Sequence, residues 1–330
     1  MLLARDRHVS SRAAGITQST GSRSGTRGTV IVTGATGNVG RALVHALLAA
    51  GESVRALVTP RAAGIDPFPD AHAHVASGQL SIVPFDFTDP ASFDDALING
   101  RPVAHASLFL LRPPAISDVE RLIPALEVAV SGGVRRVVFL SIQGAARNPI
   151  VPHYAIERYL EQIAARQSGM TYTFLRSAFF MQNLSTTHAA DIRELSEVLV
   201  PAGEGRTAFV DVRDIADAAV CALTETHLPT HANRAYELTG REALTYAEVA
   251  TILSQVLGRP IAYRRPSALR FYRHMRARGH PRAYVAVMLA LYSTARFGLA
   301  AHLSPELEQL LKRAPITFAQ FARDHAGAWE

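Results

Sequence analysis

The chain has 330 residues, 48% of them apolar and 19% charged, enough for one large core or two modest ones. A single cysteine, Cys221, excludes an internal disulfide framework and a cysteine-based zinc cluster, and it points to a reducing, cytoplasmic setting. The net charge of +6 averages two basic pieces, residues 1–28 and 259–305, over a mildly acidic body, so a general nucleic-acid footprint is not indicated.

Residues 1–28 are rich in Ser, Gly, Arg and Thr without apolar periodicity, and are expected to be a disordered leader. They lack the apolar centre of about 7–15 residues that a signal peptide needs, while an Arg-rich transit peptide stays open. From residue 29 short apolar runs alternate with helical patterns. Strands are expected at 29–33, 53–58, 80–84, 103–111, 135–141 and 171–175. Helices are expected at 38–50, 90–97, 116–130 and 153–166. This alternation predicts an α/β fold, a doubly wound parallel sheet of the Rossmann kind, over residues 29–176.

After residue 176 the alternation fails. A hairpin is expected at 198–210, turning at Ala202-Gly203-Glu204-Gly205. A helix follows at 212–223, a strand at 234–238 and a helix at 244–257, then basic helices at 266–278 and 281–296. Residues 177–330 are therefore expected to form a smaller, mostly helical C-terminal substrate cap, with 206–240 returning to the Rossmann core. The longest apolar run, residues 283–292, is far short of the roughly 18 residues needed for a transmembrane segment.

Thr33-Gly34-Ala35-Thr36-Gly37-Asn38-Val39-Gly40 stands between the first strand and the first helix. Gly34 permits the tight turn, Gly37 lets backbone approach a pyrophosphate, and Gly40 lets helix and strand pack closely. At the end of the second strand no Asp or Glu is placed to bind a ribose 2′-hydroxyl. Arg61 lies close enough to meet a 2′-phosphate, so NADPH is expected, with NADH possible; a solvated loop arginine is the alternative.

With Val54-Arg-Ala-Leu-Val58, Asp86, Arg135-Arg-Val-Val-Phe-Leu-Ser141, Thr171-Tyr-Thr-Phe-Leu-Arg176 and Phe179-Phe-Met-Gln-Asn183, the chain resembles the NmrA-like atypical short-chain dehydrogenases. Pro201-Ala-Gly-Glu-Gly205, Val210-Asp-Val-Arg-Asp-Ile215 and Tyr236-Glu-Leu-Thr-Gly240 extend the resemblance through the cap. It implies quinone-, dye- or isoflavone-type reductase activity, or a dinucleotide-binding regulator. It also implies that Gly34, Thr36, Gly37, Asn38 and Val39 hold the pyrophosphate. Asp86 and Phe87 would meet the adenine, and Leu110 and Leu111 would line the nicotinamide side. Where many members carry Arg at the end of strand two, this chain has Thr59.

Ordinary short-chain dehydrogenases use Tyr-x-x-x-Lys with a strand-end serine. Here Ser141 fits the serine, and the tyrosine spacing gives Tyr154 and Arg158. A second register, Val151 to Glu157, resembles members with His at the lysine position, here His153. Both registers stay open. The one lysine of the chain, Lys312, is far from this helix, so the usual Tyr-Lys pair is absent.

Phe179, Phe180, Met181, Gln182 and Asn183 follow the sixth strand and are expected either to wall a substrate pocket or to fill the cap core. The basic stretch 259–305 is a pocket lid, a solvated helix pair, or a contact for an acidic partner or membrane surface. His72 and His74 lack a third ligand, so no metal is expected. Asp211 and Asp214 read as helix caps. The expected function is NAD(P)H-dependent reduction of a small aromatic or conjugated molecule, a quinone, carbonyl or imine, by a monomer or homodimer. The alternatives are a redox-sensing regulator acting through a protein partner and an epimerase or cyclase on the same fold.

Overall fold

Runs such as Val54-Arg-Ala-Leu-Val58 are apolar at nearly every position because helices cover both faces of the sheet they enter. The computed structural model describes residues 28–60, 66–99, 106–114, 116, 118–224 and 228–330, so residues 1–27 of the expected leader and Arg61 lie outside the described residues. The first half runs β1 (Val30–Val32), α1 (Asn38–Ala49), β2 (Val54–Val58), α2 (His72–Ala76), β3 (Leu80–Pro84) and β4 (Ser107–Leu110). It continues with α3 (Ile123–Ser131), β5 (Arg136–Ile142), α4 (Pro152–Arg166) and β6 (Thr171–Ser177). Next come β7 (Phe179–Phe180), α5 (Gln182–Ser185), α6 (Ala189–Leu195), β8 (Arg206–Val210), α7 (Val212–Leu223), α8 (Leu228–His231) and β9 (Arg234–Leu238). The chain closes with β10 (Ala243–Thr245), α9 (Tyr246–Leu257), α10 (Ala268–Ala277), α11 (Arg282–Arg296), α12 (Glu306–Leu311) and α13 (Phe318–Asp324).

Seven strands form one parallel sheet in the order β3-β2-β1-β4-β5-β6-β9. The chain reverses direction across the sheet between β1 and β4. Ligands of doubly wound folds bind at such a switch point, beyond the carboxyl ends of the strands. On one face, α1 buries Val39, Leu43, Val44, Leu47 and Leu48, a stripe at helical spacing, against α7 and the sheet. Each fully buried leucine contributes about 1.5–3 kcal/mol. On the other face α3 and α4 cover Leu108, Val137, Phe139 and Phe174. A third core belongs to the cap: α9, α10, α11 and α13 close around Phe209, Tyr246, Phe271, Tyr292 and Trp329. The small sheet β10-β8-β7 joins this cap to the main sheet.

Several expected elements are corrected. No hairpin forms at 198–210: only β8 is a strand, and Val198 instead donates its N–H to Ala262 at 2.9 Å. The turn residues serve packing. A Cβ on Gly205 would lie 1.9 Å from the Ala295 carbonyl oxygen, so glycine there admits the end of α11. The helix at 90–97 is a 3-10 turn, Pro90–Ser92, followed by one wide turn, Asp94–Ile98. The helix at 116–130 is shortened to α3, because Pro124 lacks an N–H and suits the first turn. The strand at 103–111 is β4 alone within the described residues.

Candidate functional site

The glycine loop leaves β1 at the switch point. Thr33 accepts the Leu111 N–H on its hydroxyl at 2.8 Å and donates towards Phe109 O at 3.2 Å, locking the ends of β1 and β4 together. Gly34 takes φ +61°, a left-handed conformation that glycine adopts without strain. A Cβ on Gly40 would lie 2.2 Å from the Gly34 carbonyl oxygen, so the helix can start this close only with glycine there. Gly34, Gly37 and Asn38 are exposed, Thr36 is half-buried, and Val39 is buried. The first turn of α1 has no side-chain cap and no acid, leaving its N–H groups and partial positive charge for an anion. A dinucleotide pyrophosphate fits this cradle by charge and by shape.

Asp86 follows β3, and its carboxylate accepts from the Thr88 N–H and hydroxyl at 2.8 and 2.7 Å. Phe87 is buried, with its ring 4.7 Å from Phe85. Leu110 is fully buried in the sheet core, so its side chain does not line a cleft. Leu111 is half-buried and leans on Gly34.

Beside the cradle, β5, β6 and β9 align Ser141, Arg176 and Glu237 as register neighbours. Glu157 reaches them from α4. Its carboxylate accepts from the Ser141 hydroxyl at 2.7 Å, Arg176 Nε at 3.0 Å and Arg176 Nη2 at 2.7 Å, with no exposure of its own. Ser141 is therefore a buried clasp, committed to Glu157 rather than turned to a substrate. The Glu157 pair, reinforced by Glu237, raises the pKa of Arg176. Glu157 and Arg176 were not singled out by sequence reasoning as site residues, although both lie within the motifs that carried the resemblance.

The two residues at the head of α4 diverge. His153 turns onto the sheet, its ring stacked 5.8 Å from Phe139 with its Nδ1 buried and unpartnered. Tyr154 instead lies over the Arg158 guanidinium, 5.4 Å away, and Arg158 pairs with Glu161 at 2.7 Å. Burial, with Arg112 nearby, lowers the His153 pKa to about 4. Arg112, at the end of β4, donates to the carbonyls of Pro113 and Ile116 while its Nε stays buried without a partner. It went unnoticed in the sequence, where only its place just after a strand marks it.

This imidazole carries a stability consequence. Below a pH of about 6.5 the unfolded chain binds a proton at His153 that the folded chain refuses until about pH 4. The His153 contribution to folding free energy should fall by about 3 kcal/mol as pH drops through that window. Denaturant melts from pH 7 to 4 test this: His153→Leu should flatten that limb, and an unchanged slope would refute it.

In the cap, Phe180 packs against the sheet core and Phe179 against the cap core, its ring 6.3 Å from Tyr292. Met181 is buried inside the cap core, while Asn183 is half-buried. Gln182 donates to Asp211 at 3.0 Å and accepts from the Val212 N–H, tying the cap to α7. Asp211 caps α7, whereas Asp214 holds Arg313 and the Ile316 N–H, both at 2.7 Å. His72 pairs with Asp66, His74 with Gln79, and no metal-ligand cluster occurs among the described residues. Lys312 follows α12, on the sheet face opposite α4.

A parallel sheet with an open glycine cradle at its switch point defines a dinucleotide-binding protein of the Rossmann class. Within that class the chain belongs to the NmrA-like family, whose model matches residues 26–320. It is 33% identical over 302 residues to the NAD(P)H azoreductase of Xenophilus azovorans, covering 91% of this chain and 99% of that one. It is 32% identical over 250 residues to agroclavine dehydrogenase of Claviceps fusiformis, covering 74% and 83%. Among solved structures, Citrobacter sp. triphenylmethane reductase complexed with NADP(H) superposes with a TM-score of 0.72 at 24% identity, over 90% of this chain and 99% of that one. The Escherichia coli NADPH-dependent quinone oxidoreductase with NADPH gives 0.73 at 23%, over 89% and 99%. At these identities the two structures share the fold. No described helix is long and apolar enough to cross a membrane.

Proposed function

We propose that this NAD(P)H-dependent oxidoreductase reduces a small, electron-poor conjugated acceptor, a quinone or other conjugated carbonyl or imine, with NADPH as the expected donor. The observation that carries the reading is the half-buried His153, its Nδ1 buried and unpartnered, at the head of a helix that has no lysine. Removing a proton from an alcohol needs a strong positioned base, which this helix lacks. A conjugated acceptor delocalises the negative charge it gains, so a neutral N–H donor is enough.

A bound reduced dinucleotide supplies the hydride. Gly34, Gly37 and the first turn of α1 hold its pyrophosphate, with Thr36, Asn38, Val39 and Gly40 shaping the cradle. Asp86 and Phe87 flank the adenine side and Leu111 the nicotinamide side. Phe179, Phe180 and Asn183 wall the acceptor. His153 donates a hydrogen bond to the acceptor atom that becomes negative, and water completes its protonation. Ser141 and Glu157 act at one remove, by fixing α4. The azoreductase relative adds an azo bond to the acceptors worth testing, since it too is conjugated and electron-poor.

The test follows reduced-nicotinamide absorbance with NADPH or NADH and a panel of quinones and azo dyes. Oxidation that requires an acceptor is expected. Tight binding without turnover would point to a regulator, and failure to bind either nucleotide would end the proposal. His153→Ala should lower kcat/KM about 100-fold, the worth of one donor to developing charge, while Tyr154→Phe changes it little. If both variants keep full activity, the assignment to α4 is wrong.

A further inference from the structure

Among the described residues, seven of the ten exposed large apolar side chains lie between Leu269 and Leu303, so the exposed apolar surface described is concentrated in one segment. Its centre is α11. The inner face, Val285, Met288, Tyr292 and Ala295, fills the cap core. The outer face should then carry charge, as solvent-facing helices do. Instead residues 283–291 contain no charged side chain, and Tyr284, Val287 and Leu291 are exposed to 37%, 67% and 37%. Beyond the helix, Phe297 and Leu299 are exposed to 73% and 74%.

Arginines frame this face. Residues 259–305 hold nine of them and no acid. Arg265, Arg270 and Arg278 pair with Glu204, Glu197 and Glu194. Arg264, Arg273, Arg282 and Arg296 are exposed and have no carboxylate partner among the described residues. Arg282 and Arg296 stand at the two ends of α11, and Arg273 lies on the neighbouring α10.

A second copy of the chain is a poor occupant. Two-fold pairing through an antiparallel α11 would set Arg282 of each copy against Arg296 of the other, with no acid in the segment to relieve the repulsion. An apolar layer bearing negative charge at its surface complements both features. The face also leads to the candidate site. Residues 302–304 cross the ends of β5 and β9, where Gln143 donates to His302 O at 3.0 Å and Thr239 accepts from the Ser304 N–H at 3.0 Å.

We propose that α11 and the loop to Leu303 dock on an anionic lipid bilayer, with the apolar face entering the interface and the arginines meeting headgroups. The proposal does not depend on the identity of the acceptor, because its readout is binding.

Flotation of the full chain with vesicles of mixed phosphatidylglycerol and phosphatidylcholine, against phosphatidylcholine alone, tests it. Binding to the anionic vesicles is expected, and high salt should release it. Val287→Glu with Leu291→Glu should abolish binding without lowering the thermal melt, since both side chains are exposed. Arg273→Gln with Arg282→Gln should reduce the partition coefficient about 30-fold. Absence of binding to anionic vesicles overturns the proposal, as does binding that survives the glutamate pair. A dimer that the glutamate pair splits into monomers would give the face to a second copy and also overturn it.

Discussion

Replacing Glu157 with alanine is expected to cost about 3–5 kcal/mol of folding free energy, read from denaturant unfolding. The carboxylate has no exposure, and it accepts from Ser141 and twice from Arg176. Its loss leaves a guanidinium with 15% side-chain exposure whose remaining salt bridge among the described residues is to Glu237, at 3.7 Å. The surviving charge, more than the missing pair, sets the penalty. The double replacement Glu157→Leu with Arg176→Met should therefore recover most of it, because apolar residues of similar volume can replace a buried pair at little cost. A loss below about 1 kcal/mol for the single variant would show that water reaches Arg176. Because Glu157 sits one turn after His153, the variant should also lower turnover in the protein that stays folded.

The second large effect is expected in the glycine loop, where two substitutions should separate folding from binding. A Cβ on Gly40 would sit 2.2 Å from Gly34 O and 2.8 Å from Ala35 Cα, both backbone atoms. Gly40→Ala should then destabilise the fold by about 1–3 kcal/mol and weaken NADPH binding together. Gly37 has φ −75°, ordinary for any residue, and a Cβ there would meet only Gly34 O at 3.4 Å. Gly37→Ala should leave the melt unchanged and weaken NADPH about tenfold or more, the worth of one backbone hydrogen bond to a charged oxygen. Unaltered nucleotide titrations for both variants would remove the pyrophosphate from this loop.

Much of the fold was legible because its elements have local causes. The stripe of α1 and the apolar run of β2 each bury themselves in a way their own residues announce. The same holds for α7 and β9, found at the expected residues. The failed hairpin shows the limit. Ala202-Gly203-Glu204-Gly205 has the composition of a turn, yet its second glycine is there for a helix that arrives some ninety residues later. Local composition cannot distinguish a glycine that bends the chain from one that yields space.

The site divides along the same line. That a glycine loop follows β1, and that no lysine stands four residues after Tyr154, are properties of the sequence itself: spacing alone carries them. Which of His153 and Tyr154 turns inward depends on the rotation of α4 against Phe139. That rotation is held by Glu157, whose partners lie 16 and 19 residues away on adjacent strands. Arg112 and Arg176 were two arginines among many until the register of a parallel sheet gave one a carboxylate and buried the other's Nε. The basic stretch 259–305, too, was a segment without a surface until packing paired some of its arginines and left others exposed. Sequence sets charge and periodicity, but burial decides what a charge faces, because only the folded chain fixes which groups lose water together.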